Sequence, residues 1–190
     1  MKAYLENYIR ANTKNPAEAE IQAILALFEE RQYSKGEPFK LPNTLVSEVG
    51  FITEGSTRSF VVRENGDEIT GQITPKDNFV TDMISIRSGE PTPIGVEFIE
   101  KSSILVAQVA DAQELLESNL AFNILIRKHI ADRTVELAKR QMMFLTGTAK
   151  ERYQFLLESN PSLLKKIPLR FIASMIGITP TQLSRIRKKK

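Results

Sequence analysis

The 190-residue sequence has no cysteine, no tryptophan and a single histidine, His129. Without thiols there is no disulfide, thiolate metal site, iron–sulfur cluster or cysteine nucleophile, which suits a reducing compartment. One imidazole cannot form a cluster of histidine ligands, and His129 lies in a helical segment, where a packing or surface role outweighs haem or metal ligation. No cofactor is evident. No run approaches the roughly 18 apolar residues that span a bilayer. The opening MKAYLENYIR has no apolar signal core, so neither export nor membrane insertion is expected and a cytoplasmic location is. Catalytic constellations are missing too. Glu97 and Glu100 lie on or beside a strand with no partnered base, phosphate loop or metal-ligand spacing, and read as solvated surface.

What is present is a globular composition, 42% hydrophobic, with strongly segregated charge. Residues 1–144 hold 16 Lys and Arg against 21 Asp and Glu, a net of −5. Residues 145–190 hold 10 against 2, a net of +8. A basic end on an acidic body is the footprint of a chain that docks a polyanion through one domain. A disordered solubilising polycation would show the same charges, so the pattern between them has to decide.

Along the chain the texture changes three times. The opening through Phe28 reads as helical, with Pro16 at a helix start and Ile21, Ile24, Leu25 and Phe28 along one face. From Tyr33 to about Val109, β-branched and aromatic runs broken by Gly, Pro and Asn read as strands, and their spacing suggests an antiparallel barrel or sandwich. Asn65-Gly66 predicts a hairpin with a type I′ turn. Residues 75–93 interrupt the strands with a short helix over Phe79–Ile86. From Asp111, a plausible N-cap with Glu114 three residues on, a segment without Gly or Pro runs to about Thr146 and predicts one long helix. Leu120, Ile124, Ile130, Leu137 and Phe144 fall near multiples of 3.5, flanked by Arg127, Lys128, Asp132, Arg133 and Glu136, the layout of a seam pairing with another helix. Packing of that face on the chain's own barrel is the alternative.

Gly147 breaks this helix and the basic region follows as three further helices. In the last two, PLRFIASMIG and TPTQLSRIRKKK, Ile172 and Ile176 point inward, Ala173 is small where two helices must cross, and Gly177 supplies the turn. Ile178, Leu183 and Ile186 anchor the final helix, Thr179 caps it and Pro180 opens its first turn. Thr181, Gln182, Ser184, Arg185 and Lys188 are left outward. The apolar residues between the charges therefore hold a helix on a domain, which favours a helix-turn-helix over a solvated tail.

The order of a β-barrel, a long helix and a terminal helix-turn-helix resembles the Crp/Fnr family of bacterial transcription regulators. YSKGEPF resembles the family's barrel entry, DNFVTDMISIRSGEPTP the segment holding its ligand cassette, and the stretch from Lys150 to Lys190 its DNA-binding domain. The implied fold is α+β: a cyclic-nucleotide-binding-like antiparallel barrel (double-stranded β-helix) over residues 1–110, a dimerisation helix over 111–146, and a winged-helix-like helix-turn-helix domain over 147–190, here without a C-terminal wing. The resemblance implies double-stranded DNA as partner, a homodimer through residues 111–146, and RNA polymerase as a further partner. Thr181, Gln182 and Arg185 would face base edges, where Arg can address guanine and Gln adenine. Thr179, Ser184, Arg187, Lys188 and Lys189 would meet phosphates. The family often carries Glu where Thr181 stands, so no target sequence is borrowed.

The family's cassette places a Gly-Glu pair on the ribose and, about ten residues on, an Arg followed by Ser or Thr on the cyclic phosphate. Here Val80-Thr81-Asp82 and Glu90-Pro91-Thr92 take those places, leaving Thr81, Asp82, Arg87 and Thr92 as effector-pocket candidates. The phosphate arginine is missing and Arg87 is out of register, so cyclic AMP is not expected to bind. The barrel either senses something else or responds to no ligand. A non-catalytic protein-binding module with a degenerate basic end is the alternative function.

Overall fold

The computed structural model describes residues 1–159, 161 and 167–188. The chain divides into two compact units, Met1–Ser59 with Ile73–Ala131, and Phe60–Gln72 with Asp132–Lys190. Helices α1 (Lys2–Asn12) and α2 (Glu18–Leu27) open the first, followed by strands β1 (Glu29–Tyr33), β2 (Pro38–Lys40), β3 (Glu48–Glu54), β4 (Ser56–Val62), β5 (Glu68–Pro75) and β6 (Phe79–Val80). Helix α3 (Met83–Ser88), strands β7 (Ile94–Phe98) and β8 (Ser102–Gln108), and helix α4 (Val109–Ser118) come next. The strands form two four-stranded sheets, β1-β8-β3-β6 and β2-β7-β4-β5. The expected antiparallel barrel is thus a pair of sheets that do not close into one ring, with the β1–β8, β3–β8, β3–β6 and β2–β7 ladders antiparallel.

The two-residue period of β3 and β8 builds the core on both of their faces. Phe51 pairs with Leu105 and Ile52 with Ile104. Phe51 and Leu105 pack with Leu5, Ile9, Ile21, Ile24 and Phe28 under the helices. Ile52 and Ile104 turn to the opposite face, with Val96, Phe98 and Val106. Each of these side chains is buried, and each contributes about 1.5–3 kcal/mol by leaving water.

The long helix differs from expectation. It is interrupted at Asn119, and α5 runs from Leu120 to Thr146. Asn119 is extended (φ −117°, ψ 108°), its N–H donates to the Leu115 carbonyl, and its Oδ1 accepts from the Phe122 N–H at 2.9 Å. One buried side chain therefore ends α4 and caps α5, while its Nδ2 donates to the Glu20 carbonyl. Asp111 is not the N-cap; Gln108 holds that place and Asp111 lies in the first turn of α4. The short cassette helix starts later than expected, because Phe79 and Val80 pair with Phe51 and Gly50 as β6. Asp82 caps it, accepting from the N–H groups of Ile84 and Ser85.

In the second unit the β4–β5 hairpin turns at Asn65-Gly66 as expected, but not as type I′. Gly66 has φ +83° whereas Asn65 is not among the positive-φ residues. Gly66 N–H donates to the Arg63 carbonyl and Arg63 N–H to Asp67, so a turn closed over Arg63–Gly66 is followed by a left-handed glycine. The second half of α5 is joined here by α6 (Ala149–Ser159), α7 (Leu169–Met175) and α8 (Pro180–Lys188). Tyr153, Phe171, Ile172, Ala173, Met175, Ile176 and Leu183 form the buried interior, so the apolar anchors of the basic region do hold helices on a domain. The outer hairpin is tied to it: Thr70 N–H donates to Ser174 Oγ at 2.8 Å.

Candidate nucleic-acid interface

The turn between α7 and α8 is set by backbone chemistry that glycine permits. Gly177 has φ +71°; its N–H donates to the Ser174 carbonyl and the Ile178 N–H to the Ala173 carbonyl. This paired closure satisfies the last carbonyls of α7 and turns the chain sharply. Ala173 is fully buried, as a close helix crossing requires. At the start of α8, Thr179 Oγ1 accepts from the Gln182 N–H at 3.2 Å and Gln182 Oε1 accepts from the Thr179 N–H at 2.9 Å. The two side chains satisfy each other's orphan donors as a capping box, with Pro180 in the first turn, where its missing N–H costs nothing.

Leu183 is the fully buried anchor of α8. At about 100° per residue, Thr181, Arg185 and Lys188 stand opposite it and Gln182 and Ser184 flank them. Thr179, Thr181, Gln182, Arg185, Arg187 and Lys188 are exposed and Ser184 is half-buried. Lys189 lies outside the described residues. Thr181, Gln182, Ser184, Arg185, Arg187 and Lys188 therefore lie on one helix, with Thr179 just before it as the cap, although Gln182 spends its carbonyl oxygen on that cap.

Two arginines that the sequence reading did not single out fix α7 from below. Arg152 donates to the carbonyls of Phe144 (2.9 Å), Gly147 (3.1 Å) and Ile176 (3.3 Å). Arg140 donates to the Met175 carbonyl at 3.3 Å, and burial pulls its guanidinium below the ordinary value. Both guanidiniums lie over the Phe144 ring. Cations at the C-terminal carbonyls of α7 also complement its dipole. Phe144, expected in a seam between helices, is engaged by these contacts. In the sequence the two arginines are indistinguishable from the other basic residues of the region.

The effector-pocket candidates form a different site. Asp82 and Thr92 meet in the interior, joined by a hydrogen bond from Thr92 Oγ1 to Asp82 Oδ2, but the third member is Lys40, which no sequence feature marked. Its ammonium lies 3.2 Å from Asp82 Oδ2, both side chains are at most 3% exposed, and it also donates to the Ile94 carbonyl at 2.7 Å. Burial pushes the Asp82 carboxyl up; bonds from Thr92 and the Ser85 N–H, with the Lys40 charge, outweigh it and hold the group below its usual range. Thr81 is half-buried and donates to the Glu48 carbonyl. Arg87 is exposed in the last turn of α3 and stays out of the cluster. Among the described residues no group of three or more His, Cys, Asp and Glu could hold a metal ion, and no helix is long and apolar enough to cross a membrane.

No protein-family model and no curated protein matches the chain. Solved structures do. FixK2 from Bradyrhizobium japonicum is 21% identical, covering 85% of this chain and 83% of its own, with a TM-score of 0.68. A CooA mutant from Carboxydothermus hydrogenoformans is 19% identical over 94% of this chain and 80% of its own, TM-score 0.70. A structure from Eubacterium rectale described as a transcriptional regulator of the Crp/Fnr family is 15% identical over 96% of this chain and 87% of its own, TM-score 0.68. The chain has the fold of Crp/Fnr regulators, a cyclic-nucleotide-binding-like domain followed by a helical C-terminal domain.

Proposed function

We propose that the protein is a homodimeric, non-catalytic transcription regulator of the Crp/Fnr type that reads an inverted-repeat operator through α8 and does not respond to cyclic AMP. The observation that carries this is the outward face of α8, where Thr181, Arg185 and Lys188 oppose the buried Leu183 on a helix held by a glycine turn and a capping box. Such a helix end fits the major groove, with Arg185 able to meet guanine O6 and N7 and Ser184, Arg187, Lys188 and Lys189 able to meet phosphates, while Thr179 is engaged in the cap. The regulator fold supports the same reading.

The division of labour proposed is a sensor over residues 1–110, a dimer helix over 111–146 and a DNA-binding domain over 147–190, with duplex DNA, a second copy and RNA polymerase as partners in the cytoplasm. The exposed apolar residues of α5 support the second copy. Ile130 and Leu137 are one heptad apart, so they share a face of the helix, and they are 45% and 47% exposed. Indifference to cyclic AMP rests on Asp82 and Thr92, which are already saturated by Lys40 and by each other; a cyclic phosphate placed there would meet a carboxylate. Any effector is of another chemistry.

Selection of random duplex DNA by the purified protein tests the proposal. Recovery of a palindrome with half-sites about one helical turn apart is expected. Binding without preference, or none, overturns it, and micromolar cyclic AMP binding in calorimetry would overturn the effector part.

A further inference from the structure

A glutamine on a recognition helix invites assignment to adenine, which it reads by accepting from N6 with Oε1 while donating to N7 with Nε2. In this chain that pair of contacts is not open to Gln182. Its Oε1 accepts from the Thr179 N–H at 2.9 Å and is 3.3 Å from the Thr179 hydroxyl, which can donate to it as well. The amide orientation is dictated by chemistry: a backbone N–H only donates, so the oxygen must face it. With both lone-pair directions of Oε1 used, Gln182 presents only the two hydrogens of Nε2. It also stands about 100° around the helix from Leu183, whereas Thr181 and Arg185 stand nearly opposite that anchor.

We infer that Gln182 is a positioning residue and not a base reader: it fixes the first turn of α8, so that discrimination between bases falls to Thr181 and Arg185, and its free amide hydrogens face the DNA backbone. The inference rests on the DNA-binding reading but is separable from it. Gln182→Glu keeps an acceptor oxygen in the capping position and removes both donors, while Gln182→Ala removes cap and donors together.

The cap is measured without DNA. Thermal unfolding followed by circular dichroism should show Gln182→Ala lowering the folding equilibrium constant by roughly threefold, near the low end of what helix caps contribute, with Gln182→Glu close to wild type. Equal losses in both variants would overturn the inference whether or not the protein binds DNA. The readout is measured by duplex selection with wild type, both variants and Arg185→Ala. The same preferred sequence is expected from wild type, Gln182→Ala and Gln182→Glu, with affinity lowered alike for all sequences. A base position that relaxes or switches in the Gln182 variants, above all a lost adenine, would overturn it while leaving the regulator reading intact. Absence of any preference in the wild type would instead remove the regulator reading, and the readout half of this inference with it.

Discussion

The Arg152 guanidinium donates to the Phe144 carbonyl at 2.9 Å and lies over the Phe144 ring, 4.9 Å from its centroid. The same group reaches the Gly147 and Ile176 carbonyls, so one planar fork caps the end of α5 and the end of α7 together. Lysine has no such fork. Arg152→Ala is expected to destabilise the second unit by about 2–3 kcal/mol, since three carbonyls lose a charged donor. Arg152→Lys should recover less than half of that. Thermal unfolding monitored in both variants checks the order; equal stability of the lysine variant and wild type would refute the capping role.

How much of this was legible beforehand depends on the range of the interaction. The turn and anchors of the last two helices were readable, because Gly177, Ala173, Leu183 and the Thr179 cap act within a few residues of each other in sequence. The strand texture was readable for the same reason, as β3 and β8 are runs of residues suited to pleated, buried surfaces. The break at Asn119 was not, since what recommends it is the Glu20 carbonyl about 100 residues away. Lys40 is hidden in the sequence for the same reason: its partner Asp82 lies 42 positions on, and a lysine in a three-residue strand looks like any surface cation. The dipeptide Asn65-Gly66 marks the place of the hairpin but not its turn type, because turn preference names a dipeptide and not the φ of each residue.

The Lys40–Asp82 pair can be dissected by a double-mutant cycle. Removing either charge strands the other in the interior, so Lys40→Met and Asp82→Asn should each cost about 3–5 kcal/mol. The double variant should be more stable than the sum implies, with a coupling of about 1–3 kcal/mol. Additive losses in denaturant unfolding would show that the two do not act as a pair.

Acid should reveal the same carboxylate. Asp82 titrates below its ordinary value in the folded chain, so it stabilises the fold at neutral pH. That contribution begins to fall as the pH drops past about 4, where the unfolded-state group takes up its proton, and is lost as the pH passes the lower folded value. The difference in unfolding free energy between wild type and Asp82→Asn should therefore shrink on acidification through this window. A difference constant from pH 6 to pH 2.5 would contradict the assignment.

Gly177 tests the turn without altering any charge. An added Cβ would meet Phe144 and Arg152 at ordinary contact distances of 3.7 and 3.8 Å, so space does not forbid a side chain. Its φ of +71° does, at about 1–2 kcal/mol for alanine. Gly177→Ala should lower stability by that amount and weaken DNA affinity, and Gly177→Asn should be milder because Asn tolerates this region better. Equal effects of the two would point to a steric cause.

Leu137 is 47% exposed, so replacing it with glutamate costs the isolated chain little. If α5 pairs with a second copy, the charge enters an apolar seam and the dimer dissociates. Sedimentation should then show a folded monomer with normal helix content and sharply reduced operator affinity. A dimer unchanged in Leu137→Glu would move the interface off this face of α5.

Arg185 and Lys188 share the outward face of α8 but should fail differently. Arg185→Ala should relax one operator position, with a loss of about 1–3 kcal/mol for the preferred sequence over its base variants. Lys188→Ala should weaken all sequences alike and reduce the slope of log affinity against log salt by about one ion. Measuring both variants on the selected operator and on one base-changed duplex, at several salt concentrations, separates the two effects. If Arg185→Ala also lowered both duplexes equally, that arginine would be another phosphate contact, and the specificity of α8 would rest on Thr181 alone.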